Sequence, residues 1–149
     1  MIVKCIKDSI SELDNKNIKK WIKKYCRFDD EYQMEFFKGR KYVVYGIHFW
    51  DNHPFYFLCG DENVESDDYP VPHYAGFFEV IDAKHSANWR LSYKVDEDGL
   101  PWTSILHKDW VADPRFYENL VEGEEREVAL FQKLRKEMDS EALKLANKE

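Results

Sequence analysis

From Arg40 to Leu58 aromatic and β-branched residues run almost without pause, broken once by Asp51-Asn52-His53-Pro54. Arg40–Phe49 places Tyr42, Val44 and Gly46 in one parity and Val43, Tyr45, Ile47 and Phe49 in the other. Successive side chains in a strand point to opposite faces. Residues of this kind suit a pleated, buried surface. The interruption is turn chemistry, and Phe55–Gly60 resumes the apolar pattern. The stretch therefore predicts a β-hairpin at the centre of the fold. Phe55-Tyr56-Phe57 puts aromatic rings on both faces, so the second face must meet helices or a partner.

More elements follow on either side. Ile2–Ile6 reads as a short strand, Phe77–Asp82 as a third long one and Trp89–Val95 as a fourth. In the fourth, Trp89, Leu91, Tyr93 and Val95 alternate with Arg90, Ser92 and Lys94. That pattern predicts one buried and one wet face. Asp96–Gly99 is a tight turn before a fifth strand over Trp102–Leu106. Tyr69-Pro70-Val71-Pro72 should stay extended and irregular, because proline cannot donate to a ladder. Ser9 and Glu12 form a capping box ahead of Ile10, Leu13, Ile18, Trp21, Ile22 and Tyr25 at helical spacing. Asn15 and Asn17 weaken the first half of that helix and move its start toward Asn15. Asp113-Pro114 caps a further helix. Gly123 separates it from a last one, whose first turn carries Glu124, Glu125 and Glu127 and whose final turns fray past Ser140. The expected architecture is one α+β domain spanning residues 1–149. An antiparallel sheet of four to five strands packs against an N-terminal helix and two C-terminal helices.

Charge is unevenly distributed. Residues 1–47 carry 11 basic against 7 acidic side chains, and residues 48–149 carry 11 against 22. A net charge of −7 argues against direct nucleic-acid binding, which needs concentrated positive charge. It favours fast association with a basic partner. No run reaches the 18 or more apolar residues of a membrane span, and Met1–Ile10 has no apolar core of a signal peptide. Three widely spaced cysteines, Cys5, Cys26 and Cys59, do not make a disulfide framework. Reduced thiols in the cytoplasm are the simplest reading.

The most concentrated feature is acidic. Asp61, Glu62, Glu65, Asp67 and Asp68 fall within eight residues, with no basic residue among them and Tyr69-Pro70 directly after. Such a run resists burial and projects into water, offered to a cationic surface. These five acids, with Tyr69 and Trp50 as aromatic anchors, are the expected partner-binding residues. The lysine-rich face made by Lys16, Lys19, Lys20, Lys23 and Lys24 is a solvated helix surface, or the docking face of an adaptor or regulatory subunit.

Catalytic and metal patterns are sparse. His48, Asp51 and His53 form the only local histidine cluster, without the spacing of a zinc motif. Cys59 ends a strand beside Asp61 and Glu62, which disfavour a thiolate. A small hydrolase built on Cys59 or on His48/Asp51/His53 is the enzymatic alternative. Asp61, Asn63, Glu65 and Asp67 alternate like calcium ligands but lack the glycine and terminal glutamate of an EF-hand. No glycine-rich phosphate loop is present. No cofactor or metal is expected.

One resemblance bears on function. Tyr42-Val43-Val44-Tyr45-Gly46-Ile47, Phe55-Tyr56-Phe57-Leu58-Cys59, the acidic run, Tyr69-Pro70, Phe78-Glu79-Val80-Ile81-Asp82, Ser86 to Trp89, and the tail Trp110, Phe116-Tyr117 and Leu120 resemble small acidic immunity proteins. Those proteins are encoded beside bacterial polymorphic toxins, including contact-dependent inhibition systems. The resemblance covers about Tyr42 to Leu120. It implies a cytoplasmic, non-enzymatic protein that binds a cognate toxin domain, often a nuclease, and occludes its surface. It carries over no catalytic residue. A homodimer through the aromatic surface is a further expectation.

Overall fold

The computed structural model describes residues 1–26, 31–32, 34–61 and 68–146. Its class is α+β. Among the described residues, eight strands make two antiparallel sheets. In chain order they are β1 (Ile2–Cys5), β2 (Lys41–Val43), β3 (Gly46–Trp50), β4 (His53–Leu58), β5 (Val71–Tyr74), β6 (Phe78–Asp82), β7 (Trp89–Val95) and β8 (Pro101–His107). The helices are α1 (Lys16–Tyr25), α2 (Lys108–Val111), α3 (Phe116–Val121) and α4 (Glu125–Ala146). The larger sheet runs β5-β4-β3-β8-β7 and the smaller β2-β1-β6. No helix among the described residues is long and apolar enough to cross a membrane.

Several boundaries differ from expectation, each for a local reason. The stretch expected as one strand over Arg40–Phe49 divides at Val44-Tyr45. Its first part pairs with β1 in the small sheet and its second with β4 and β8 in the large one. Gly46 sits at this crossing, where a Cβ would lie 2.6 Å from Leu106 Cδ2. The following turn is only Asp51-Asn52, both at positive φ (49° and 62°). That two-residue form matches strand twist, so His53 and Pro54 belong to β4. Val71-Pro72 is not irregular: it opens β5, an edge strand, where a missing N–H costs no ladder bond. Phe78–Asp82 joins β1 rather than the central hairpin. Ser9–Glu12 makes only a short 3-10 turn, and α1 begins at Lys16. Asn15 caps α1, its side chain accepting from the N–H groups of Asn17 and Ile18. The final helix runs on to Ala146 without ending at Ser140.

The register of the large sheet assigns its two faces. One carries Leu58, Tyr56, Ile47, His73, His107 and Trp89. It packs on the small sheet and on α4, with Phe36 against His73 (ring centroids 4.5 Å) and Tyr56 against Phe78 (6.2 Å). The Trp89 indole N–H points at Met138 Sδ, 3.4 Å away. Phe131 and Leu134 of α4 are fully buried, each worth about 1.5–3 kcal/mol. The other face carries Phe55, Phe57, His48, Ser104 and Trp102. It is covered at one end by α1, where Trp21 lies 4.0 Å from His53 and 6.0 Å from Phe55. At the other end it meets α2 and α3.

Candidate partner-binding cleft

The second face leaves a cleft of about 690 Å³ between β7, β8, β3 and the α2–α3 corner. Three local choices build the corner. His107 Nδ1 accepts the Asp109 N–H (3.1 Å) and so caps α2. This puts the His107 proton on Nε2, which faces the Glu137 carboxylate of α4 at 3.6 Å. Asp113 and Pro114 lie ahead of α3 and do not cap it as expected: the Asp113 carboxylate is used in the preceding turn, accepting the Arg115 N–H (3.0 Å), and Arg115 takes the cap position before Phe116. Trp110 is thereby buried against Phe57 (5.0 Å) and stacked on Tyr117 (5.5 Å, 10° between planes). The Tyr117 hydroxyl donates to the Pro70 carbonyl at 3.0 Å. Burial raises the Tyr117 pKa.

The floor is the His48 ring. Its Nδ1 lies 2.9 Å from Ser104 Oγ, and Trp102 stacks over it at 4.8 Å. Trp102 is held in turn by its indole N–H donating to Asp96 (2.8 Å). This bond and the Leu100 N–H lower the Asp96 pKa. Burial, and then the charge of Lys94, lower the His48 pKa, which keeps the imidazole neutral at physiological pH. His48 Nε2 has no hydrogen-bond partner among the described residues. Lys94 and Asp113 add one charge of each sign to the cleft wall.

The two described acids of the run, Asp61 and Asp68, differ in role. Asp61 accepts from Arg40 (2.8 Å) and from the Tyr42 hydroxyl (2.9 Å), so the molecule already spends this charge on itself. Burial, with Asp61 adding to it, pushes Tyr42 up to about 12. Asp68 is exposed, and Tyr69 is half-buried against the core. Glu62, Glu65 and Asp67 lie outside the described residues. Asp68 and Tyr69 lead directly into Pro70, which Tyr117 holds, and into Pro72, which lines the cleft. The end of the acidic run and the cleft thus share one flank.

Trp50 does not join them. It is 39% exposed at the β3–β4 turn, beside Trp21 (5.6 Å) and Tyr25 (6.1 Å). The length of β4, roughly 20 Å at strand rise, separates that turn from Asp61. The hydrolase groupings are not assembled either. Asp51 accepts the Trp21 indole N–H (2.7 Å) and His53 packs on the same ring, while His48 turns to Ser104. Cys59 is buried. No group of three or more metal-capable side chains occurs among the described residues.

Residue patterning alone missed Ser104, Trp102 and Trp110 as site residues. Their shared position follows from register and from the α2 cap, neither of which leaves a motif. It also misjudged β7. Trp89 is buried as its alternation implies, but Leu91, Tyr93 and Val95 on the same face are 71%, 67% and 54% exposed. β7 is an edge strand, and Trp89 at its start packs on Met138 of α4.

No family model, curated protein or solved structure matches the chain.

Proposed function

We propose that this chain is a non-enzymatic binding protein that neutralises a cognate bacterial toxin domain in the cytoplasm by occluding a basic surface of it. The observation that carries the reading is the Tyr117–Pro70 hydrogen bond. It ties the end of the acidic run to the wall of an aromatic cleft. Asp68, exposed on the cleft's flank, and the charge of the run it ends attract and orient a cationic partner. Trp102 and Tyr117, both half-buried on the cleft wall, then receive one of its arginine or lysine side chains by cation–π contact. The immunity-protein resemblance supports the same partner class.

The test is co-expression with the C-terminal domain of a large secreted protein encoded beside this chain. Rescue of host growth supports the reading; loss of host growth despite soluble expression of both proteins refutes it. Converting Asp61, Glu62, Glu65, Asp67 and Asp68 to Asn or Gln should slow association steeply at low salt. An unchanged on-rate removes the run from the interface.

One observation favours an enzymatic second reading. His48 and Ser104 pair inside a cleft, with the imidazole neutral, as a base beside a hydroxyl nucleophile would be. Covalent labelling by a fluorophosphonate that is lost in Ser104→Ala supports that hydrolase; absence of labelling removes it.

A further inference from the structure

Among the described residues no strand pairs the outer edge of β7, and that edge is built to pair with a second strand. β7 and β8 run antiparallel in one register from Trp89↔His107 to Val95↔Pro101. Just beyond its two ends, the Asp96 N–H donates to Leu100 O (3.0 Å) and the Lys108 N–H to Asn88 O (2.8 Å). Hydrogen-bonded and non-bonded pairs alternate along an antiparallel ladder. The even-numbered residues Arg90, Ser92 and Lys94 therefore bond β8. Leu91, Tyr93 and Val95 turn their N–H and C=O groups to the open edge. Pro101, which has no N–H, sits opposite Val95 as this phase requires. The same three residues carry the exposed apolar side chains, so six backbone groups and a row of apolar surface lie on one edge.

The other sheet edges are guarded. Pro72 interrupts β5, β6 carries a register shift against β1, and β2 is three residues long. Proline, bulges and short strands are the usual defences against edge pairing. β7 has seven residues and none of these.

We propose that two copies of this chain associate through antiparallel β7–β7 pairing centred on Tyr93. A two-fold axis normal to the sheet keeps each face continuous, so residue i meets a residue of the same parity. Centring on Ser92 would oppose Arg90 to Lys94 of the other copy twice. Centring on Lys94 would oppose the two lysines. Like charges directly across a ladder are destabilising. Centring on Tyr93 sets Tyr93 against itself, Leu91 against Val95, Ser92 against Lys94, and Arg90 against Asp96 of the second copy. The open groups of Leu91, Tyr93 and Val95 then make six hydrogen bonds. The apolar side chains cover one another and the charges complement. The five strands of each copy become a ten-stranded sheet, with both clefts open on the same side. The pairing uses an edge and no acid of the 61–68 run, so it stands independently of the toxin-neutralising reading.

Sedimentation velocity over about 1–200 µM and a cysteine cross-linking set test it. The background is Cys26→Ser, which removes the half-buried thiol. Ser92 and Lys94 of the other copy form a non-hydrogen-bonded pair, with Cα atoms about 4.5 Å apart, within disulfide range. Mixing Ser92→Cys protein with Lys94→Cys protein under mild oxidation should give a cross-linked dimer, and neither variant alone should. Cross-linking of Ser92→Cys alone, or of Lys94→Cys alone, puts the axis elsewhere and overturns the register. The parent chain should sediment as a dimer at the upper concentrations. Tyr93→Pro removes one open N–H without touching the β8 ladder, and should raise the dimer dissociation constant at least tenfold with an unchanged circular dichroism spectrum. A parent chain monomeric throughout, or a dimer unaffected by Tyr93→Pro, overturns the proposal.

Discussion

Tyr45 donates its hydroxyl to Asp139 Oδ1 at 2.7 Å, joining residues 94 positions apart. Tyr45 lies where the chain leaves the small sheet for the large one, and Asp139 is on α4. The ring of Tyr45 also packs edge-on to Phe131 (5.7 Å). This contact fixes α4 across the junction of the two sheets. Tyr45→Phe keeps the ring and deletes the hydrogen bond to a charged acceptor. Such bonds contribute about 1.5–3 kcal/mol. Urea unfolding should show a loss of that size with an unchanged slope; a loss below about 0.5 kcal/mol would leave the bond without a structural role.

His73 sets an acid limit on stability. It is buried against Phe36, and burial lowers its pKa to about 4. The folded protein therefore binds this proton less readily than the unfolded chain, whose histidine titrates near 6.5. The stabilising contribution is complete above pH 6.5 and declines as pH falls toward 4. Between pH 7.5 and 4.5 the fall should be about 2.5 kcal/mol. His48, also lowered by burial, acts in the same direction. Unfolding midpoints measured across that range should lose most of the His73 share of the slope in His73→Gln.

The α2–α3 corner separates stability from cleft shape. Trp110 is buried among Phe57, Phe116 and Tyr117, so Trp110→Ala should cost about 3–5 kcal/mol. Tyr117→Phe removes only the bond to Pro70 and should cost about 1 kcal/mol. On the toxin-neutralising reading it should nevertheless weaken partner binding, because the end of the acidic run loses its attachment to the cleft. Calorimetric melting and binding titrations on both variants distinguish the two effects.

Arg40 competes with any partner for Asp61. On the proposed docking mode, Arg40→Gln leaves the Asp61 carboxylate held by the Tyr42 hydroxyl and makes the surface around it more acidic by one charge. Association with a basic partner should speed up about two- to fivefold at low salt and converge with the parent at high salt. A slower on-rate would mean that the Arg40–Asp61 pair is itself part of the recognised surface.

Local pattern was informative wherever a short-range rule governs conformation. The strand content of Arg40–Leu58, the Trp89–Val95 and Trp102–Leu106 strands, a helix shortly after Asp113-Pro114 (though not its cap) and the last amphipathic helix are all readable from alternation and periodicity. The α+β class follows from their order. Those rules operate over a few residues, and they say nothing of which strand a strand will choose. That choice set the break at Val44-Tyr45 and sent Phe78–Asp82 to β1. It also left Leu91, Tyr93 and Val95 uncovered on the outermost strand.

The functional surface divides in the same way. Sequence by itself determined that the second half of the chain is acidic, that a carboxylate run precedes Tyr69-Pro70, and that aromatic residues would populate both faces of the central sheet. Charge and polarity are properties of the residues alone. Only the tertiary structure decided that Arg40 claims Asp61, that Tyr117 fastens Pro70 beside the His48–Ser104 cleft, and that Trp50 faces away toward α1. Each of these joins residues that are distant in sequence or on separate elements. Their meeting is a consequence of sheet register and helix packing, which arise from burial summed over the whole core.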